Sequence, residues 1–262
     1  MQDRLTSVLF VGGLSTGKSS LINALLGDDV LPVDVVPCTA VISEVVYGEE
    51  KGAALHFKDS LQLSSPYADD RIRKHLESVR MNIPPVEIGL EELRNCITFQ
   101  EDSTFQEDSL FNDMKYVESP YSRAVIRYPS EFLRSGFELI DTSGLNDDTS
   151  RDEFTLKYLM DADAVVLVFG YPKVLSMREN CFLSMVSGLH SDIFFVINKC
   201  DMAHRFNDLD KVKRFAITKL SPYTSHKPEE RIFFTSALTQ TGTDCLKAAL
   251  LMKRLQKIND AQ

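Results

Sequence analysis

The sequence predicts an α/β fold: a mainly parallel central β-sheet flanked by α-helices. Three observations carry the prediction. Short apolar runs at residues 8–11, 137–140, 162–169, 192–197 and 231–234 alternate with helical patterns, as parallel strands joined by helices do. Several of these runs end in polar loops, the arrangement that open α/β sheets present at their carboxyl edge. The chain has 262 residues, 44% of them hydrophobic, enough to bury the core of one large domain spanning 1–262.

The first run leads into Gly12-Gly13-Leu14-Ser15-Thr16-Gly17-Lys18-Ser19, followed by the helical stretch 20–26. Strand, glycine-rich loop and helix in that order identify a phosphate loop and hence a P-loop NTPase fold. Gly12 and Gly17 permit the tight turn that aims successive N–H groups at a phosphate, and the helix start adds its positive end. Lys18 is expected to reach the β- and γ-phosphates, and Ser19 to give its hydroxyl to Mg2+. Ser20 continues the nucleotide-binding run.

Residues 31–40 form a proline-punctuated connection to a strand expected over 41–47. Thr39 lies there, and its hydroxyl is expected to close the magnesium shell; the competing reading is a strand-entry threonine. The segment 49–123 is a variable insertion between the Thr39 connection and the strand at 137–140. Within it, residues 54–58 suggest a strand. Residues 69–81 suggest a basic helix carrying Arg71, Arg73, Lys74 and Arg80, read as a solvated amphipathic surface in preference to a membrane or nucleic-acid contact. The chain then turns acidic after Pro84-Pro85.

The strand at 137–140 runs into Asp141-Thr142-Ser143-Gly144. Asp141 is expected near the metal through water, and the Gly144 amide against the γ-phosphate, where it senses whether that group is present. Ser150 and Glu153 form a capping box for the next helix, and Ser176 and Glu179 for the one after residues 162–169.

Asn198-Lys199-Cys200-Asp201 follows the run at 192–197 and selects the base. A carboxylate at Asp201 accepts from guanine N1–H and the 2-amino group, whereas adenine would leave it unpaired. Lys199 lays its stem along the base, and Asn198 ties this loop to the phosphate loop. Ser236 and Ala237, just after the last strand, bring backbone N–H groups to the guanine oxygen. Helices are expected over 208–220 and from Thr243 onward, where Leu246, Leu250, Leu255 and Ile258 form an apolar stripe, packed on the sheet or docking a helical partner with its outer half.

The phosphate loop with residues 20–27, Leu31-Pro32, Pro37-Cys38-Thr39-Ala40, Tyr128-Pro129-Ser130 and residues 139–147 resembles the GTPase domain of the dynamin superfamily. The resemblance implies GTP hydrolysis to GDP and phosphate with Mg2+, stimulated by head-to-head homodimerisation and serving membrane remodelling. It gives Ser15 a role at the β- and γ-phosphates beside a monovalent cation (K+ or Na+), and Thr39 a role in orienting the attacking water. Ser15, Lys18, Thr39 and Gly144 are thereby the catalytic candidates. Two departures stand out: Leu14 occupies the place of a water-orienting glutamine, and Ser143 that of a proline. A GTP-dependent binding switch with little turnover is the alternative reading. The long helical stalk of that family is absent from the sequence, which fits either an excised head or a short GTPase working with partners.

A net charge of −9 argues against general affinity for nucleic acid or anionic lipid, so membrane association is expected only through partners or missing regions. The amino terminus lacks a signal-peptide pattern, and five cysteines without metal-site spacing point to a reducing, cytoplasmic setting.

Overall fold

Strand β1 (Thr6–Gly12) lies near the middle of a nine-stranded sheet and carries the phosphate loop at its carboxyl end. The computed structural model describes residues 5–33, 41–57, 84–97, 100–101, 116–117, 121–142, 157–205 and 208–260. In chain order its strands are β1, β2 (Ile42–Tyr47), β3 (Gly52–Phe57), β4 (Val86–Ile88), the separate pair β5 (Gln100–Glu101) and β6 (Tyr116–Val117), β7 (Tyr121–Tyr128), β8 (Phe137–Asp141), β9 (Ala164–Gly170), β10 (Ile193–Asn198) and β11 (Ile232–Phe234). The main sheet has the order β11-β10-β9-β1-β8-β2-β7-β3-β4.

From β11 to β8 all neighbours are parallel. At β2 the direction reverses against β8, β7 runs parallel to β2, and β3 and β4 continue antiparallel. The mainly parallel sheet read from the sequence is therefore the half that bears the phosphate loop. The strand expected over 54–58 is β3, and the insertion also supplies β4 and helix α2 (Leu90–Ile97), whose Leu93 and Ile97 are buried. The expected basic helix at 69–81 and the capping pair Ser150 and Glu153 lie outside the described residues.

Both faces of the parallel half are covered, which is why its strands read as continuous apolar runs. Alternate residues of β1 feed two cores. Val8 and Phe10 pack with Leu21, Ile22 and Leu25 of helix α1 (Lys18–Leu26) and with Leu246 and Leu250 of the last helix. Leu9 and Val11 pack with Leu183 and Val186 of α4 (Met177–Leu189) and with Ala216 and Leu220 of α5 (Leu209–Leu220). Helix α3 (Glu131–Arg134) and helix α6 (Pro228–Arg231) are single turns leading into β8 and β11. The capping box of α4 is formed, with Glu179 N–H donating to Ser176 Oγ at 3.3 Å and Ser176 N–H to Glu179 Oε2 at 2.7 Å.

The last helix, α7 (Thr243–Asp260), corrects one expectation. Leu246 and Leu250 are fully buried, but the stripe continues through Arg254, and Leu255 is 55% exposed. Four-residue steps stay on one helix face, and the fifth position turns away. Burying Arg254 takes a built receptor: Nη1 donates to Thr6 Oγ1 at 2.9 Å, and the guanidinium stands 6.0 Å from the Phe137 ring centre. Gly136 leaves the room for it. At φ 94° its backbone favours glycine, and a Cβ there would lie 2.0 Å from the Arg254 guanidinium. Nearby, Lys257 donates to Asp163 Oδ2 at 2.5 Å and to the Leu5 carbonyl at 2.9 Å.

Candidate functional site

The carboxyl ends of β1, β8 and β10, together with the loop after β11, converge on one edge of the sheet. The phosphate loop leaves β1, and Ser15 turns in the left-handed region at φ 55°. Thr16 Oγ1 donates to the Gly13 carbonyl at 3.0 Å, bracing the loop from within. Lys18 is buried at the start of α1, with Nζ 3.3 Å from the carbonyls of Gly12 and Gly13. It is thus folded over the loop whose N–H groups face the phosphate position.

Ser19 and Asp141 meet although 122 residues separate them: the serine hydroxyl donates to Asp141 Oδ2 at 2.5 Å. Asp141 is 1% exposed, and its Oδ1 has no hydrogen-bond partner among the described residues. Burial pushes the carboxyl up to about 6, against the opposing pull of Lys18 and the Ser19 hydroxyl. Next to it, Thr142 Oγ1 donates to the Phe10 carbonyl at 2.9 Å, fixing the exit of β8 against β1.

Asn198, at the end of β10, joins three segments. Its Nδ2 donates to the carbonyls of Thr16 at 3.2 Å and Gly17 at 3.3 Å, while Oδ1 accepts from Thr235 Oγ1 at 3.2 Å and Ala237 N–H at 3.0 Å. Gly17 is needed for this approach, since at φ 89° a Cβ would lie 2.5 Å from Asn198 Nδ2. Lys199 follows in the left-handed region at φ 66°, its stem running beside Gly17. Asp201 Oδ1 accepts from the Ser236 hydroxyl at 2.6 Å, and Ser236 Oγ in turn accepts from Thr239 N–H at 3.1 Å. Cys200 N–H donates to the Thr235 carbonyl at 3.0 Å, and burial pushes its thiol up to about 11, which makes it a poor nucleophile.

A cavity of about 640 Å3 opens between these loops and α1, with Gly17, Ser20, Asn198, Lys199, Asp201 and Ala237 among its walls. Gly12, Gly13, Leu14, Ser15, Thr16, Gly17, Lys18, Ser19, Ser20, Asp141, Asn198, Lys199, Asp201, Ser236 and Ala237 therefore all lie at this one edge, on strand ends, the loops that follow them and the first turn of α1. Thr39, Ser143 and Gly144 are outside the described residues. Leu14 is 43% exposed at the tip of the phosphate loop.

Three features were not read from the sequence. Asn23, buried in α1, grips the chain after the helix through Val30 N–H, Leu31 N–H and the Leu31 carbonyl, at 3.2, 2.8 and 2.8 Å. Asp28 is held by the Tyr128 hydroxyl and lies 3.7 Å from Lys51. Glu179, read only as a helix cap, also points Oε1 towards Gly13. The residue types were visible, but their partners come from strands and loops far along the chain.

The Dynamin family matches residues 8–200. A bacterial dynamin-like protein of Nostoc punctiforme is 31% identical over 202 residues, covering 77% of this chain and 26% of the relative. Dynamin-like protein 1 of Campylobacter jejuni is 24% identical over 262 residues, covering 96% of this chain and 35% of the relative. Among solved structures, one described as "An oligomerised bacterial dynamin pair provides a mechanism for the long range sensing and tethering of membranes" aligns with TM-score 0.60 and 25% identity, over 93% of this chain and 34% of that one. Era of Aquifex aeolicus bound to GDP.AlF4- shares the fold with TM-score 0.52 and 15% identity, over 95% of this chain and 57% of that one. The chain thus spans well under two thirds of the length of the curated relatives it matches. No helix among the described residues is long and apolar enough to cross a membrane. With the family match running from the strand before the phosphate loop into the loop after β10, and those loops meeting at one edge of the sheet, the chain belongs to the dynamin family.

Proposed function

We propose that the chain binds GTP and hydrolyses it to GDP and phosphate with Mg2+, its turnover stimulated when two heads dimerise across their nucleotide faces. The observation that carries this reading is the Ser19–Asp141 contact at 2.5 Å with the second carboxylate oxygen buried and unpartnered among the described residues. A hydroxyl and a carboxylate oxygen are the hard donors that magnesium takes, and a positive charge there offsets the desolvation of Asp141. Ser19, Asp141 and Thr39 would hold the ion. When bound, it neutralises charge on the phosphate oxygens.

In this reading Lys18 moves from the loop carbonyls to the β- and γ-phosphates, and the amides of residues 13–18 surround the β-phosphate. Gly144 senses the γ-phosphate. Ser15 lies at the β- and γ-phosphates, beside a monovalent cation, K+ or Na+. Asp201 accepts from guanine N1–H and the 2-amino group; the Ser236 and Ala237 N–H groups, expected at the guanine oxygen, are instead given to the Thr241 carbonyl at 2.9 Å and to Asn198 Oδ1 at 3.0 Å, and Ala237 serves as a wall of the cavity. Asn198 serves the site by holding the two loops in register. Membrane work of the kind named for the tethering dynamin pair would come through partners or further protein, for which the exposed side of α7 is available, and the setting is cytoplasmic.

A second reading has one specific support. Leu14, exposed on the phosphate loop, offers no hydrogen bond to an attacking water, which favours a GTP-dependent binding switch of low turnover. Phosphate release measured against protein concentration separates the two. Specific activity that rises with concentration and vanishes in Lys18→Ala supports the dimer-stimulated GTPase. Tight GTP binding without release supports the switch, and a preference for ATP in direct competition sinks the guanine assignment.

A further inference from the structure

We propose that Asp29 recognises the sugar of the bound nucleotide, its carboxylate accepting hydrogen bonds from the vicinal ribose hydroxyls. The inference rests on the GTP-site reading above and adds a residue to it. The cavity that starts at Gly17 and Asp201 runs past Ser20 along α1 and reaches Asp28 and Asp29 at its far wall. A nucleotide with phosphates on residues 12–19 and base at Asp201 spans that space with its sugar in between. The hydroxyl edge of the sugar would then face the α1 side, where Asp29 lines the cavity.

Of the two carboxylates there, Asp28 is committed. Its hydrogen bond from the Tyr128 hydroxyl, helped by the Asp29 N–H and by Lys51, holds it below the usual carboxylate range. Asp29 differs. Its backbone N–H donates to Asp28 Oδ1 at 2.9 Å, but its carboxylate makes no hydrogen bond or ion pair among the described residues and is exposed to the cavity.

The turn that carries it is fixed before any ligand arrives. α1 stops at Gly27, whose N–H returns to the Asn23 carbonyl at 2.8 Å, and the Asn23 side chain grips Val30 and Leu31 on the other side of Asp29. Preorganisation of this kind lets an exposed carboxylate discriminate between ligands, because no loop has to be ordered on binding. A carboxylate has two acceptor oxygens and a vicinal diol two donors, the match by which an acidic residue selects ribose in dinucleotide folds. Repulsion from the phosphates is small. The carboxylate would meet the hydroxyl edge of the sugar and not its phosphate-bearing carbon, and at this exposed turn water and salt screen the charge.

The test is calorimetric titration of GTP, 2′-deoxy-GTP and 3′-deoxy-GTP into the wild type, Asp29→Ala and Asp29→Asn. The wild type is expected to bind GTP about tenfold more tightly than at least one deoxy analogue. In Asp29→Ala, GTP affinity should fall by about that factor while affinity for the same analogue hardly changes, so that the preference collapses. Asp29→Asn, which keeps one acceptor, should fall between. Unchanged binding of the deoxy analogue also reports that the variant's site is folded. A wild type that does not discriminate, or an Asp29→Ala variant that keeps the full preference, overturns the assignment while leaving the GTP site standing. A wild type that binds no guanine nucleotide overturns the site itself.

Discussion

Asn198→Ala should cost the protein both stability and nucleotide affinity, and the size of the effect follows from the four hydrogen bonds the side chain makes. The residue is 1% exposed, so its partners have no easy access to water once the amide is removed. The Ala237 N–H and Thr235 hydroxyl lose their acceptor, and the carbonyls of Thr16 and Gly17 lose a donor. A buried group left unsatisfied costs about 1–3 kcal/mol. The bonds are 3.0–3.3 Å long, the Thr235 hydroxyl can rotate to another partner and the Gly17 carbonyl keeps the Leu21 N–H at 2.9 Å, so the low end applies to the two remaining groups, about 2 kcal/mol for the set. For a domain of this size that is a fall in Tm of about 4–8 °C. Asn198→Asp refines the test. It keeps the acceptor facing Thr235 and Ala237 but turns a second oxygen towards two carbonyls, so the damage falls on the phosphate-loop side. Thermal unfolding with and without GDP, paired with calorimetric GTP affinity, reads both effects. If Asn198→Ala melts within 2 °C of the wild type and binds GTP equally well, the idea that this side chain holds the two loops together is wrong.

Two further outcomes are expected. Burial raises the Asp163 carboxyl, but Lys257 and the Ser7 N–H outweigh it and leave the group below its ordinary value; its contribution to stability is then fully present above about pH 4 and lost as pH falls through the folded value. The gap in Tm between the wild type and Asp163→Asn should accordingly hold from pH 8 to 5 and shrink below about pH 4, and a gap that stays constant to pH 2.5 would count against the Lys257 pair. Leu14→Gln should raise kcat at saturating GTP with little change in affinity, because it adds a hydrogen-bonding group only at the tip of the phosphate loop. A single-turnover rate unchanged or lowered in protein kept dimeric would show that the missing donor does not limit the chemistry.

The strands from β8 to β11 and β1 were legible because helices cover both faces of the parallel sheet, which makes each strand a run of apolar residues. The half built from β2, β3, β4 and β7 was harder to read. Apart from the strands expected at 41–47 and 54–58, its pattern is diluted by charged residues such as Glu87, Arg123 and Arg127, which pair with one another or with Glu44 across the strands. On α7 the apolar count chose Leu255 over Arg254, since a guanidinium reads as solvent-facing until Thr6 and Gly136 are known to receive it. At the site, the residue types of the phosphate loop and of Asn198 to Asp201 marked them as candidates. The Ser236 hydroxyl on Asp201 and the grip of Asn23 on its turn did not, because each depends on how two loops meet. Asp29 sat in what reads as an ordinary acidic turn.

The position of β1 bears on how the protein is made. Among the described strands this one is translated first, yet its two neighbours in the sheet are β8 and β9, beginning at Phe137 and Ala164. At a synthesis rate of about 5–20 residues per second, the roughly 130 residues that intervene before β8 take about 6–26 s to appear. Through that interval Val8, Leu9, Phe10 and Val11, all destined for 0% exposure, have no strand beside them. The nascent strand is then a sticky, unpaired edge of the kind that chaperones exist to cover. The nucleotide loop it carries can be assembled only after β10 has left the ribosome and supplied Asn198, so ligand binding belongs to the last stage of folding and cannot guide the first.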